Sequence, residues 1–174
     1  MNVAVKTEGE SRQLKLRPLE AEAFAPFGQI VQPGEHPVPA NGGTARRHDI
    51  GDVMVRLGED SQLRLSIFDC EPQALPLRID VLERHRLSAQ TIAPMQAAEY
   101  LTIVCLSGPD GAPDLATAQA FECAPYQGVN YSPGVWHHGV VATERRSLFF
   151  LQSWQDGSPT DCEEINIPAL LVTR

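Results

Sequence analysis

The chain has 174 residues, a length that suits one domain. Hydrophobic residues make up 43% of it and charged residues 21%, which is ordinary globular composition that can bury a core without disulfides. The formal net charge of −8 disfavours nucleic acid and anionic membranes as partners, because both are themselves negatively charged. An anionic small-molecule substrate stays open, because local charges govern a site.

The cysteines and the N-terminal residues both favour a cytoplasmic protein. The four cysteines are Cys70, Cys105, Cys123 and Cys162. None has the CxxC spacing of a zinc ribbon or a redox pair, so we expect them to be reduced. Residues 1–13 contain no apolar run, which predicts neither a signal peptide nor membrane insertion. We expect one domain over residues 1–174, with a flexible tail at 1–11.

In chain order, the first predicted element is a helix. The stretch from Pro18 to Gly28 predicts one short helix that ends at Pro26 and Gly28. Residues 32–43 follow, and their proline and glycine content predicts a long loop without regular structure. A loop of this length in a compact domain is often a lid or the wall of a site.

The rest of the chain predicts strands. Leu63, Leu65 and Ile67 alternate with polar residues, and residues 101–106 and 148–151 are short continuous apolar runs. Turn signals separate these runs, and no long helical pattern lies between them. The pattern favours an all-β fold, an antiparallel sandwich or barrel preceded by the short N-terminal helix.

One predicted strand leads towards a polar site. Because side chains alternate between faces, a single face of it carries Leu75, Leu77, Ile79, Val81, Glu83 and His85. The four apolar residues predict that this face points into the core. A carboxylate and an imidazole are costly there unless they are paired or ligated. Glu83 and His85 are therefore expected to reach a wet pocket, to bind a ligand or to lie beyond the strand end.

A second segment, from Gly128 to His138, places a Pro133-Gly134 turn before two adjacent histidines. Adjacent strand residues face opposite ways, so only one of His137 and His138 can point inward. Gln90 lies between the two segments, five residues after His85.

Together these segments resemble the two motifs of the cupin superfamily. The first motif is His-x-His, four spacers and Glu, and Glu83, His85 and Gln90 occupy its positions; His137 occupies the second. The resemblance implies a cupin-type antiparallel β-barrel, with these four residues pointing inward to hold one divalent metal. Imidazole and oxygen ligands suit nickel, zinc or manganese. A metal-free pocket in which the same groups hydrogen-bond a small ligand is the alternative.

Over residues 16–165 the chain is similar to the ureidoglycolate lyase family. The strongest matching stretches are Leu82-Glu-Arg-His85, Gln90 with Pro94-Met95, Pro113-Asp-Leu115 with Ala120-Phe121, and Gly128-Val-Asn-Tyr131 with Trp136-His-His138. Cys162 also matches. The resemblance implies a homodimeric cupin that splits ureidoglycolate into glyoxylate and urea during allantoin breakdown.

That reaction needs a base, an acid and an anchor for the substrate carboxylate. The predicted catalytic residues are His85, Glu83 and His137. The predicted substrate-binding residues are Arg46, His48, Gln90, Tyr131 and Trp136. Imidazole carries protons near neutral pH, and guanidinium suits a carboxylate, which makes Arg46 the predicted clamp. A plain surface charge for Arg46 and a packing role for Trp136 stay open.

The chain departs from the family at three places. Relatives often carry Lys where this chain has Gln96, His-Arg where it has Ser132-Pro133, and Asp-Arg-Gly where it has Gln155-Asp156-Gly157. Basic groups and one carboxylate are therefore missing from these positions. These departures keep open a divergent cupin enzyme, or a sensor, acting on another small carboxylate.

Overall fold

The computed structural model describes residues 11–51 and 54–174, and these are mostly β-strand. The first elements are β1 (Arg12–Pro18), α1 (Ala21–Phe24), β2 (Gly28–Val31), β3 (Val38–Ala40), a 3-10 turn (Asn41–Gly43) and β4 (Ala45–Arg47). The longer strands follow as β5 (Gln62–Cys70), β6 (Leu77–Arg84), β7 (Gln90–Gln96), β8 (Tyr100–Ser107) and β9 (Pro113–Cys123). The last are β10 (Gly128–Tyr131), β11 (Trp136–His137), β12 (Val141–Ala142), β13 (Ser147–Gln155) and β14 (Glu163–Thr173).

Six strands close into a barrel. They follow the order β11-β6-β14-β1-β9-β8, and β11 pairs with β8 as well as with β6, which joins the two ends. A second sheet has the order β2-β10-β7-β13-β5, and β3 pairs with β4 as a separate ribbon. The all-β barrel predicted from the sequence is confirmed. It is mixed rather than wholly antiparallel, because β1 runs parallel to both β14 and β9.

Two apolar cores result, and β8 contributes to both. Leu101, Ile103 and Cys105 pack inside the closed barrel. Tyr100 and Val104 point the other way, into a core shared with the second sheet. A strand buried on both faces has a continuous apolar sequence, which explains the run at residues 101–106. All four cysteines are free, as expected.

The predicted N-terminal helix exists, but its predicted extent is wrong. Only Ala21–Phe24 is helical. Pro18 belongs to β1 and pairs with Glu122, while Gly28 opens β2 and pairs with Tyr131. These pairings between distant parts of the chain override the local helical pattern. Residues 1–10 of the predicted tail lie outside the described residues.

The prediction of no regular structure at residues 32–43 is also wrong. Val38–Ala40 forms β3, which pairs with β4, and Asn41–Gly43 makes the turn between them. Pro39 is tolerated because the ribbon has only two strands, so its missing N–H disrupts no inner sheet position. No helix in the described part of the chain has the length and apolar character needed to cross a membrane.

The alternation predicted for β6 fails at Val81. Ile79 and Leu82, three positions apart, both pack in the barrel core. The two-residue alternation therefore changes phase between them, where the pairing with β14 also shifts register. Val81 is 37% exposed instead of buried. Glu83 consequently points away from the barrel core, towards the core between barrel and second sheet.

Candidate active site

The short strand β11 brings Glu83 and His137 together. His137 pairs with Glu83 of β6 on one side and with Val104 of β8 on the other. Trp136 packs in the barrel core, so the alternation turns His137 to the opposite face. The strand that closes the barrel therefore also places an imidazole opposite a carboxylate.

The turn before β11 is fastened to the end of β6. Gly134 has φ +81, a left-handed conformation that L side chains rarely adopt. Its amide donates a hydrogen bond of 2.8 Å to the carbonyl of His85. The two motifs recognised in the sequence are thus joined through the backbone.

His137 is 1% exposed and is held in one orientation. Its Nδ1–H donates to the carbonyl of Val135 at 3.0 Å, which turns Nε2 towards Glu83. That nitrogen lies 3.4 Å from Oε1 of Glu83, yet has no hydrogen-bond partner among the described residues. The ring of Tyr131 stacks on the imidazole, with 4.2 Å between centroids. The arrangement presents a buried, oriented lone pair to an incoming proton or cation.

His85 is fixed by hydrogen bonds at both nitrogens. Nδ1–H donates to the carbonyl of Asp161 at 2.6 Å, and Nε2 accepts from the Gln90 amide at 2.8 Å. Burial, and then the nearby His137, lower the pKa of His85 below its usual 6.5. His85 is therefore held as a neutral imidazole. The other end of the amide, Oε1 of Gln90, is buried without a partner in the described structure.

Glu83 is kept ionised. Its pKa is lowered to about 2, chiefly by the His137 imidazole beside it and against the opposing effect of burial. The thiol of Cys162 also donates to Oε2 at 3.6 Å. At neutral pH the site therefore contains one half-buried carboxylate between two imidazoles.

The residues at this site can hold a cation. Donor atoms of Glu83, His85 and His137 all lie within 4.8 Å of one another. The unpartnered lone pairs on His137 Nε2 and Gln90 Oε1 are of the kind a divalent ion accepts. The structure thus brings together all four of the residues predicted as a metal set. A neighbouring trio of Glu83, Cys162 and Glu164 shares the same carboxylate.

Of the other predicted residues, Tyr131 reaches this cluster and Trp136 does not. The Tyr131 ring contacts His137, but its hydroxyl is bound to Thr102 at 2.6 Å and points away from the site. The Trp136 indole lies in the barrel core, donates to the carbonyl of Gly111 at 3.2 Å and stacks under the guanidinium of Arg84.

Arg46 and His48 lie elsewhere. Arg46 is exposed on β4, in the separate two-stranded ribbon. His48 donates to the carbonyl of Gly34 at 2.9 Å and lines a different cavity of about 360 Å³, with Pro94 and Tyr126. The structure gives neither residue a contact with the cluster.

The three departures from the family also separate in space. Gln96 is exposed and lines a surface pocket beside Arg146. Pro133 lies in the turn before β11. Gln155 is linked to the cluster through Ser153, because its amide donates to the Ser153 hydroxyl at 3.1 Å, and Ser153 pairs with Gln90.

Sequence reasoning missed two neighbours of the cluster, Asp161 and Cys162. Their part in it depends on β14 pairing with β6, which sets Glu163 opposite Arg84 and so brings the preceding residues beside Glu83 and His85. The match of Cys162 to the family was the one available signal.

Comparisons with known proteins agree with the motifs. The family model described as ureidoglycolate lyase matches residues 11–173. The ureidoglycolate lyase of Pseudomonas paraeruginosa is 39% identical over 155 residues, which cover 88% of this chain and 89% of the relative. The ureidoglycolate lyase of Pseudomonas syringae pv. syringae is 37% identical, and the match covers 88% of this chain and 89% of the relative. The ureidoglycolate lyase of Pseudomonas entomophila is 36% identical, and the match covers 90% of this chain and 93% of the relative.

A solved dTDP sugar isomerase from Desulfovibrio desulfuricans G20 aligns with a TM-score of 0.43 at 18% identity, covering 80% of this chain and 85% of that one. A likeness at this level supports no inference. The family model and the curated relatives confirm the resemblance inferred from the sequence. The chain belongs to the ureidoglycolate lyase family.

Proposed function

We propose that this chain is a ureidoglycolate lyase, which releases glyoxylate and urea in the breakdown of allantoin. Its relatives carry that name. The observation that carries the proposal is the buried Nε2 of His137, 3.4 Å from an ionised Glu83. An imidazole beside a fixed anion suits removal of a hydroxyl proton, because the anion stabilises the imidazolium that forms.

In ureidoglycolate one carbon bears a hydroxyl, a carboxylate and a urea nitrogen. His137 Nε2 takes the hydroxyl proton while the oxygen forms a C=O bond to that carbon. The carbon–nitrogen bond breaks, and its electron pair leaves on the urea nitrogen. The proton on His137 then passes to this nitrogen, so that glyoxylate and urea leave and the imidazole returns to its starting state.

Glu83 and His85 support this proton transfer in different ways. A carboxylate with a pKa of about 2 stays ionised, and it stabilises the imidazolium that forms transiently on His137. His85 and Gln90 form a fixed pair that presents the Gln90 amide to the pocket. That pair is suited to binding the substrate's hydroxyl or urea group.

A divalent cation fits the same residues, and we propose nickel, zinc or manganese as candidates. Glu83, His85 and His137 would hold it with Gln90, whose Oε1 lacks a partner within the described residues. When bound, such an ion polarises the hydroxyl and stabilises negative charge on its oxygen. The orientation of the two imidazoles by Val135 and Asp161 serves either use of the site.

Stoichiometric product formation tests the proposal. Purified protein, with and without each metal, is incubated with racemic ureidoglycolate, and glyoxylate and urea are measured together. The substrate decays spontaneously, so heat-denatured protein gives the background. Equal release of both products well above that background is expected. Release no faster than background under every metal condition would reject the lyase.

We also propose that the protein is a cytoplasmic homodimer. Leu63, Leu65 and Ile67 pair with Trp154, Gln152 and Phe150 of β13, on the face of the second sheet opposite buried Leu151. The three side chains are 42%, 61% and 53% exposed. Apolar surface of this kind on an edge strand suits a second copy of the chain.

The second candidate function, on another small carboxylate, is favoured by one observation. Gln155, where the family resemblance implies an aspartate, contacts Ser153 next to Gln90. A substitution this close to the cluster would alter which acid fits. Parallel assays with other small hydroxy acids separate this candidate from the lyase.

A further inference from the structure

Four residues form a straight row across the second sheet. Tyr131 on β10 pairs with Gln90 on β7, Gln90 pairs with Ser153 on β13, and Ser153 pairs with Arg64 on β5. Residues directly opposite each other on neighbouring strands project from the same face. The row therefore starts beneath His137, passes through the candidate site and ends on an arginine at the sheet edge.

The face that this row occupies is the one turned towards the barrel. Tyr131 is 2% exposed and stacks on His137, while Gln90 bonds to His85. Ser153 is 5% exposed in the same row. Arg64, on the edge strand, is exposed. The row is therefore buried from Tyr131 to Ser153 and reaches the surface at Arg64.

Arg64 is a cation without a partner among the described residues, and this separates it from its neighbours. Other arginines near the site are engaged: Arg84 and Arg86 with Glu163, and Arg56 over the Trp154 ring. An arginine that balances no carboxylate within its own fold is free to bind an external anion.

The spacing suits a small substrate. Neighbouring strands lie about 4.8 Å apart, so Arg64 begins about 10 Å from Gln90 along the row. An extended arginine side chain spans more than one strand spacing and can cover much of this gap. A small acid held at the cluster therefore lies within reach of this guanidinium.

We propose that Arg64, assisted by the Ser153 hydroxyl, anchors the substrate carboxylate. The Ser153 oxygen accepts a hydrogen from Gln155 at 3.1 Å, which leaves its own O–H to donate. Guanidinium pairs with a carboxylate through two parallel hydrogen bonds. In this proposal the carboxylate clamp is Arg64. It is not Arg46, the residue predicted from the sequence, which lies on the separate ribbon. This assignment rests on the proposed function, because it places the reacting carbon at the cluster and its carboxylate towards Arg64.

A substrate without the carboxylate isolates this contact. N-(hydroxymethyl)urea has the same hydroxyl, carbon and urea nitrogen, and breaks down to formaldehyde and urea by the same proton transfers. Wild type, Arg64→Gln and Arg64→Lys are assayed on both substrates. Arg78→Gln is the matched control, because Arg78 is an exposed arginine of β6 that pairs only loosely with Asp80.

We expect Arg64→Gln to lower kcat/KM for ureidoglycolate by about tenfold to a hundredfold, mostly through KM. Its effect on kcat/KM for N-(hydroxymethyl)urea should stay below about twofold. Arg64→Lys should recover part of the loss on ureidoglycolate, because lysine keeps the positive charge but lacks the two parallel donors of guanidinium. Arg78→Gln should leave both substrates unaffected. An equal loss on both substrates, or no loss on ureidoglycolate, would overturn the anchor while leaving the lyase intact.

Calorimetric binding of oxalate and glyoxylate separates failure of the anchor from failure of the lyase. Arg64→Gln should weaken both by about tenfold or more relative to wild type, whether or not the wild type releases glyoxylate. Carboxylate binding that depends on Arg64 in a protein without turnover would reject the lyase and keep the anchor. Equal binding by the two proteins, or no binding by the wild type, would reject the anchor.

Discussion

Glu83 and His137 face each other across the β6–β11 pair, with carboxylate Oε1 3.4 Å from imidazole Nε2. His137 is 1% exposed, and its other nitrogen is committed to the Val135 carbonyl. A carboxylate and a lone pair this close repel each other unless a proton or a cation lies between them. The pair is therefore poised to take up positive charge, and the stability of the protein should depend on it.

The first prediction concerns acid stability. The folded-state pKa of Glu83, about 2, lies below its ordinary 4.5, so ionised Glu83 contributes stability above pH 4.5 that is lost as pH falls towards 2. The contribution is on the order of 2–3 kcal/mol. In chelator-treated protein, Glu83→Gln should remove this part of the loss of unfolding free energy at acid pH. Urea unfolding at a series of pH values measures it.

The control for this measurement is Glu59→Gln, which removes a carboxylate exposed at the surface. It should keep the wild-type pH dependence. If Glu83→Gln and wild type lose stability in parallel from pH 4.5 downward, the carboxylate is not held by His137 in the folded protein.

The second prediction concerns the turn before β11. Gly134→Ala forces a side chain into a left-handed conformation at φ +81 and should cost about 1–2 kcal/mol of unfolding free energy. Gly139→Ala is the matched control, because Gly139 lacks this backbone conformation and an added Cβ would meet nothing within 4 Å. It should cost less than about 0.5 kcal/mol. Equal thermal shifts for the two variants would contradict the role given to the turn.

The third prediction concerns the metal. Chelator-treated wild type should bind one equivalent of nickel, zinc or manganese by calorimetry, and His137→Ala should bind at least about tenfold more weakly because a ligand is lost. Glu164→Gln distinguishes the two possible trios, since Glu164 belongs only to the one with Cys162. If Glu164→Gln weakens binding and His137→Ala does not, the ion belongs to the second trio.

The fourth prediction concerns assembly. Leu65→Lys places a charge in the middle of the exposed apolar face of β5 and should convert the dimer to a monomer in sedimentation experiments. Leu57→Lys changes another exposed leucine, 59% accessible and outside β5, and should leave the dimer intact. A wild type that sediments as a monomer at micromolar concentration would refute the proposed interface.

The sequence predicted the cluster better than the elements that build it. Glu83, His85, Gln90 and His137 lie together, as the resemblance to the cupin motifs implied. The phase change in β6 between Ile79 and Leu82 was not predictable, since it arises where the pairing with β14 shifts register. The alternation of apolar and polar residues along one strand does not show which face packs in the barrel core and which packs in the core shared with the second sheet.

The assignment of the carboxylate clamp shows a second limit. Arg46 and Arg64 both carry a guanidinium, and its fit to a carboxylate was the reason for predicting Arg46. Arg64 lies between Leu63 and Leu65, whose alternation correctly predicts that it faces the other way. Which face of β5 turns towards the barrel emerges only from its pairing with β13.

The most direct test of the account is the rate of glyoxylate release by His137→Gln compared with wild type. In the proposed reaction His137 supplies the proton-accepting nitrogen, so its replacement should lower kcat by about a hundredfold to ten-thousandfold with a much smaller change in KM. Circular dichroism should show that the variant is folded. A folded His137→Gln protein that keeps more than about a third of the wild-type kcat would contradict the assignment of His137 as the base.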